Sequence, residues 1–347
     1  MKSFSKPFLQ SLTLSNELVR MVRGMGEYKG RQELFKKQAP EILENLRQVA
    51  LIQSAESSNR LEQVIAEPTR FREIMAERIT PKDRSEAEIA GYRDVLNTIH
   101  SSASHIPFTE KVIRQFHRDM MKYTGLPGGT WKSTQNEITE TRPDGTKRIR
   151  FTPLEPFHVA DYMVRLHELF NDEISKQAID PLVLVPLYIL DFLCIHPFLD
   201  GNGRISRLAT LLLLHQHGYE VGRYISLERI IENTKDSYYD ILESASAGWH
   251  QGKHDPTPWI TYFFSTTLAA YDEFERRANI SISGRGSKTT MILSAIDNFA
   301  GDFSISDIER ACPLVGRDMV RHVLNKLRGD GKVVNLSKGR YARWRKI

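Results

Sequence analysis

Much of the chain's candidate chemistry lies in one uninterrupted run, His196-Pro197-Phe198-Leu199-Asp200-Gly201-Asn202-Gly203-Arg204-Ile205-Ser206-Arg207. Two glycines flank an asparagine where a helix begins. Several backbone N–H groups can converge there beside the positive end of the helix, an arrangement suited to phosphate. Arg204 and Arg207 stand three apart, hence on one helical face, and their guanidinium forks suit further phosphate oxygens. Asp200 offers a hard oxygen ligand for the Mg²⁺ that accompanies a polyphosphate. His196, as a neutral imidazole, could take a proton from an attacking hydroxyl near pH 7. Taken singly, a histidine before proline is a common packed or capping residue, and Asp-Gly-Asn-Gly is an ordinary turn. Together in so short a run they read as group transfer from a nucleotide.

The elements that position this run are legible on either side of it. After Pro181, residues 182–195 form a nearly all-apolar segment, too long for an ordinary strand and so read as a buried helix. Residues 203–217 follow as a second helix, with Ile205, Leu208 and Leu212 on one face and Gly218 as its stop. Helical spacing recurs over 33–53, 85–100, 109–123 and 158–171. One stretch differs: Thr130–Ile138 and Lys147–Thr152 flank Arg142-Pro143-Asp144-Gly145, a hairpin signal. No internal repeat is found.

With 347 residues, 40% apolar and 26% charged, the composition is the ordinary globular mixture and the length suggests two or three domains. The longest apolar runs fall far short of the roughly 18 residues that cross a bilayer, so no membrane span is expected. Lacking an apolar h-region after MKSFSKPFLQSL, the chain is expected to be cytoplasmic. Cys194 and Cys312 are the only cysteines, which excludes a disulfide framework and a cysteine-based metal cluster. The charge is uneven: from Asn279 to Ile347, 13 Lys+Arg face 6 Asp+Glu, although the whole chain carries only +5. Gly and Ser in Arg276–Ser287 suit a linker before this basic tail. In the tail, 288–300, 304–311 and 315–328 read as three short helices. Two short strands then follow over Gly331–Arg345 around Ser337-Lys338-Gly339, the order of a winged helix. Arg317–Ile347 holds ten Lys+Arg with Tyr341 and Trp344 interleaved, so contact with nucleic-acid phosphates is a candidate role, beside protein docking or dimerisation.

The run from His196 to Arg207 resembles the Fic (filamentation induced by cAMP) motif HxFxDGNGRxxR at every specified position. The resemblance implies a mainly α fold: a Fic helical bundle with a β-hairpin flap, followed by a C-terminal winged-helix domain. The implied divisions are 1–84 (N-terminal helical region with an inhibitory motif), 85–278 (catalytic core) and 279–347 (basic winged-helix-like domain). The implied activity is AMPylation, in which AMP passes from ATP to a Tyr, Ser or Thr hydroxyl of a target protein with release of pyrophosphate. On that reading His196 is the base and Asp200 holds Mg²⁺ between the α- and β-phosphates. Gly201, Asn202 and Gly203 cradle phosphate, Arg204 braces the phosphates, and Arg207 holds the γ-phosphate, with Ile205 and Ser206 completing the ATP-binding run.

The resemblance also assigns accessory residues. The hairpin looks like the family's flap, with Asn136, Glu137 and Ile138 as flap residues that dock a target segment by strand addition. Trp131-Lys132 stands where the family often has an arginine. Tyr238 and Tyr239 occupy a stretch that in relatives lies near the adenine, though two tyrosines on a helix are also ordinary amphipathic filler. Ser58-Asn59-Arg60-Leu61-Glu62 resembles the inhibitory [ST]xxxE motif, in which Glu62 would pair with Arg207 and misplace ATP. Gln63 replaces the Gly or Asn usual after that glutamate. The implied partners are ATP and a target protein, with self-modification, DNA contact through the tail and a homodimer as further expectations. The competing reading is a DNA-binding regulator whose Fic domain senses nucleotide or acts as a scaffold. Within the enzyme class, relatives also remove AMP or transfer other phosphate-containing groups.

Overall fold

Asp83, Thr109, Asp180 and Ser226 each stand one residue before a helix. Their side chains accept from Glu86 N, Val112 N, Leu182 N and Arg229 N at 3.0, 3.3, 2.8 and 3.0 Å, satisfying N–H groups that the first helical turn leaves unpaired. The computed structural model describes residues 2–38, 40–141, 144–282, 287–297, 299, 301–312, 315–337, 339 and 342–347. The chain divides into two compact units, Met1–Gln32 with Ala50–Tyr271, and Glu33–Val49 with Asp272–Ile347.

The elements run in the order α1 (Lys6–Ser11), α2 (Asn16–Gln38), α3 (Pro40–Leu61), α4 (Pro68–Met75), α5 (Arg84–Ser102), α6 (Glu110–Met121), β1 (Ile138–Thr141), β2 (Lys147–Phe151), α7 (Pro156–Lys176), α8 (Pro181–Ile195), α9 (Asn202–Gln216), α10 (Leu227–Asn233), α11 (Lys235–Ser246) and α12 (Thr257–Ile282). The single helix anticipated over 33–53 is instead shared by α2 and α3. Proline at position 40 opens the second of them, as its fixed φ and missing N–H favour. In the first unit α8 forms the centre, and every residue from Leu182 to Ile195 is buried. Its rise of 1.5 Å per residue carries the chain from the polar cap at Asp180 to His196 wholly within the core. Phe108, Phe170 and Tyr188 pack edge-on beside it, with ring centroids 4.8 to 5.3 Å apart.

The hairpin pairs β1 and β2 antiparallel, Thr139 opposite Ile149 and Thr141 opposite Lys147, with a register shift between Ile138 and Thr139. Gly145 has φ 83° and the Asp144 carboxylate accepts from Thr146 N at 2.9 Å, while Arg142 and Pro143 of the anticipated turn lie outside the described residues. α12 continues as helix through Ile282, so the first half of the anticipated linker is helical, and 283–286 lie outside the described residues.

The second unit contains α13 (Ser287–Asp297), β3 (Phe303–Ser304), α14 (Ile305–Ala311), α15 (Arg317–Gly329), β4 (Val333–Asn335) and β5 (Arg343–Lys346). Its antiparallel sheet has the order β3-β5-β4, one strand more than the sequence reading. Ile292, Phe303, Ile308, Val320, Leu324 and Trp344 form its core. Lys338 and Tyr341, on or beside the expected turn, lie outside the described residues. Cys194 and Cys312 are both free and buried. Among the described residues no helix is long and apolar enough to cross a membrane.

Candidate active site

α8 ends because His196 turns left-handed, with φ 51° and ψ 62°, while its N–H still bonds Phe192 O at 2.9 Å. That conformation is uncommon for a residue with a side chain, and it turns the imidazole away from the helix ladder. His196 Nδ1 lies 3.4 Å from Leu193 O. A carbonyl can only accept, so Nδ1 carries the proton and Nε2 keeps its lone pair. Burial, and then the positive charge of Lys132, push the pKa of His196 down to about 4. The imidazole is therefore neutral at pH 7, as a proton acceptor must be.

The loop beyond is closed from within. Asn202 Oδ1 accepts from Phe198 N at 2.9 Å and its Nδ2 donates to Phe198 O at 2.7 Å, so its side chain is spent on the turn. Gly201, at φ 79°, lies where a Cβ would meet Met120 Cε at 2.6 Å. Ile205 N bonds Gly201 O at 2.9 Å, which begins the α9 ladder; Gly201 N is taken by Asp200 Oδ1 at 2.6 Å, so the amides that suit an anion are those of the first turn of α9, Asn202 to Arg204. Ile205 is fully buried in the core. Ser206 also faces inward, with Oγ donating to Gly203 O at 2.7 Å.

Sequence reasoning missed His117. Its Nδ1 accepts from Gly129 N at 2.8 Å, so Nε2 carries the proton donated to Asp200 O at 3.1 Å, and its ring stacks on Phe198 at 3.8 Å with 2° between planes. Burial pushes its pKa down to about 4, so this brace on the loop stays neutral. In the sequence it is one more residue beside the apolar positions of α6, with no signal to distinguish it.

The two arginines differ in role. Arg204 is buried and pairs with Glu88, also buried, while its Nη2 reaches Asp200 Oδ1 at 3.5 Å. Asp200 is half exposed, and Arg84 Nη2 meets its Oδ2 at 2.8 Å. Arg207 is held by the end of α3: Nε donates to Ser58 Oγ at 2.8 Å, and Nη2 to Ser58 O at 3.0 Å and to Glu62 Oε1 at 2.7 Å. Glu62 thus lies over the start of α9, where a Cβ on Gly203 would meet its Oε1 at 2.2 Å. Gln63 N and Val64 N fold back onto Arg60 O and Asn59 O, and Gln63 takes φ 61°. That conformation explains why glycine or asparagine suits the position.

Tyr238 is buried and, with Arg207 and Ser206, lines a cavity of about 30 Å³. Tyr239 is partly exposed, and its hydroxyl donates to Leu61 O at 3.4 Å. Asn136 joins the hairpin to the loop, donating from Nδ2 to Phe198 O at 3.1 Å. Glu137 is exposed and Ile138 opens β1. Arg150 fastens β2 to α11, reaching Asp240 and Glu243 at 2.9 and 3.1 Å.

Residues 107–214 match the sequence profile of the Fic/DOC family. This chain carries a Fic/DOC domain. Its matched stretch contains the hairpin, α8 and the whole run from His196 to Arg207. The chain is 30% identical to "Protein adenylyltransferase fic-1" of Caenorhabditis briggsae over 125 residues, 36% of this chain and 22% of that protein. It is 27% identical to "Protein adenylyltransferase Fic" of Drosophila grimshawi over 187 residues, 53% of this chain and 34% of that protein. The chain thus spans a minor part of the curated relatives it matches. A crystal structure of a Fic family protein from Desulfovibrio desulfuricans superposes with TM-score 0.62 at 21% identity, covering 97% of each chain. Fic-1 from Caenorhabditis elegans superposes with TM-score 0.57 at 19% identity over 76% of this chain and 73% of that one. These likenesses establish the Fic fold.

Proposed function

We propose that this chain is a protein adenylyltransferase that moves AMP from ATP to a hydroxyl of a target protein, and that Glu62 holds it inactive. The observation that carries the reading is the Glu62 to Arg207 ion pair, formed over the same helix start that presents the loop amides beside His196. His196 Nε2 takes the hydroxyl proton, the amides at the start of α9 hold phosphate oxygens, and Arg207 grips the γ-phosphate once Glu62 leaves. Tyr238 and Tyr239 would flank the base, and Asn136, Glu137 and Ile138 would present the target strand. Arg204, spent on Glu88, acts through the loop it props.

Mg²⁺ is held mainly by phosphate oxygens with one or two carboxylates, so the half-exposed Asp200 fits it without a cluster of protein ligands. When bound, the ion would neutralise phosphate charge, and Arg84 must then release the Asp200 carboxylate. The tail offers less to nucleic acid than its composition implies. Arg343, Arg345 and Lys346 reach Asp307, Asp302 and Asp297 at 3.8, 2.6 and 2.6 Å, and Arg321 reaches Asp318 at 3.4 Å, so among the described residues Lys326, Arg328 and Lys332 are exposed basic residues outside these pairs that suit a DNA-contact reading.

Incubating wild type, Glu62→Gly, Glu62→Gly/His196→Ala and Arg207→Ala with α-labelled ATP tests the assignment, with label in protein as the readout. Glu62→Gly should transfer strongly. His196→Ala in that background should lose about 10² to 10⁴ in rate while still binding nucleotide. Arg207→Ala breaks the same ion pair yet deletes the phosphate grip, so it should not reproduce the gain. Unchanged labelling in Glu62→Gly would show that Glu62 is a structural ion-pair partner.

A further inference from the structure

Lys132 brackets the residue assigned as the base. Its backbone N–H donates to Pro197 O at 2.8 Å, and its ammonium reaches Ile195 O at 3.4 Å, so one residue bonds the carbonyls on either side of His196. The remaining contact of the ammonium is Asn136 Oδ1 at 2.8 Å, at the foot of the hairpin. The side chain is nearly fully buried, and among the described residues no carboxylate pairs with it. A buried ammonium without a counter-charge is unfavourable in itself and acts strongly on neighbouring groups through the low local dielectric.

We propose that Lys132 is a positioning residue for His196: it pins the left-handed turn on both sides of the histidine and sets a positive charge beside the imidazole that keeps it unprotonated when polyphosphate is near. The charged groups that face His196 are Lys132, Glu62 and Asp200, and the two carboxylates favour the imidazolium while Lys132 opposes it. A bound polyphosphate adds negative charge and would draw a proton onto Nε2, removing the lone pair that the base needs. Lys132 counters that pull from the hairpin side, away from the helix start that meets phosphate. Burial pushes the Lys132 ammonium down only to about 8, so it remains mostly charged at pH 7. The role of His196 as base rests on the proposed AMP transfer; its titration does not.

The test follows the His196 imidazole by ¹⁵N NMR of the full-length protein, without ATP and with a non-hydrolysable ATP analogue, using His196→Ala to assign the signal. Lys132→Met removes both contact and charge, Lys132→Gln keeps a donor for Ile195 O but no charge, and Lys132→Arg keeps the charge. The expected result is a His196 midpoint raised by about one pH unit in Met and Gln, and near wild type in Arg. Should Lys132→Met fail to fold, Gln and Arg carry the comparison. A wild-type midpoint in Gln overturns the proposal, because a purely structural contact predicts that outcome. Failure of AMP transfer in Glu62→Gly would instead sink the functional reading, and the titration distinguishes the two.

Discussion

Gln63 holds a backbone conformation at φ 61° that costs a residue with a side chain about 1 to 2 kcal/mol. Glycine adopts it freely but gives up more conformational entropy on folding, about 0.5 to 1 kcal/mol. The net expectation for Gln63→Gly is a gain of roughly 0.5 to 1 kcal/mol, seen as a thermal midpoint about 2 °C higher. AMP transfer should stay off, because the Glu62 carboxylate is untouched. A lowered midpoint would show that the Gln63 side chain contributes more than its backbone costs. At this scale the sequence is legible where the chemistry is contiguous, as from His196 to Arg207. Arg84 and His117 were not legible, since they meet Asp200 from 116 and 83 residues away. The sequence reading sets Asn202 in the phosphate cradle; it is the first residue of α9, and its side chain closes the turn before it. A string of residues does not distinguish those two uses.

In the proposed reading the inhibitory Glu62 follows directly on α3, and that helix is held at several points. Ser54 Oγ donates to Glu228 Oε2 at 2.7 Å, and Tyr92 OH donates to Glu228 Oε1 at 3.1 Å, placing α3 and α5 around one buried carboxylate of α10. Arg60 adds an ion pair to Glu232 at 3.0 Å, also on α10. If α10 helps hold α3 closed, Arg60→Ala should weaken the closed state slightly, since a half-exposed pair contributes about 0 to 1 kcal/mol. Basal labelling should rise about two-fold, far less than in Glu62→Gly. No rise would show that this contact is not part of the latch. The helices that surround the loop were legible from their apolar spacing and the Gly218 stop, whereas the helical spacing read over 33–53 ran across Pro40, which opens α3.

For the whole molecule, acid is the informative stress. His117, His167, His196 and His254 all have their pKa pushed down from 6.5 to about 4, first by burial. The unfolded chain therefore takes up these protons first, and the stability present above about pH 6.5 is lost as pH falls toward 4. Asp191 works in the opposite sense. Buried beneath Ser3 and Trp249, its pKa is pushed up to about 6, so its contribution is present below about pH 4 and is lost as pH rises through 6. His217 is also pushed down by burial, so five histidines against one aspartate give a thermal midpoint that falls from pH 7 to pH 5. Asp191→Asn should steepen that fall, and a flat profile would show that the histidines are not held neutral. The basic tail makes a separate expectation. Its core of Ile292 to Trp344 lies wholly within 287–347, a length at which many domains fold alone. Expressed by itself, that segment should melt cooperatively, read by Trp344 fluorescence, and a non-cooperative trace would show that it needs the rest of the chain.

The Glu62 to Arg207 pair has a consequence for dose. In the proposed cycle Glu62 is a competitor tethered to the enzyme it inhibits, arriving at Arg207 at a fixed local concentration, on the order of millimolar for a short connection. Diluting the protein cannot weaken such an inhibitor, and raising protein concentration cannot strengthen it. Only a rival for the same guanidinium, or a pull on α3, shifts the balance. Basal output would then follow the cell's ATP level smoothly, whatever the number of copies present.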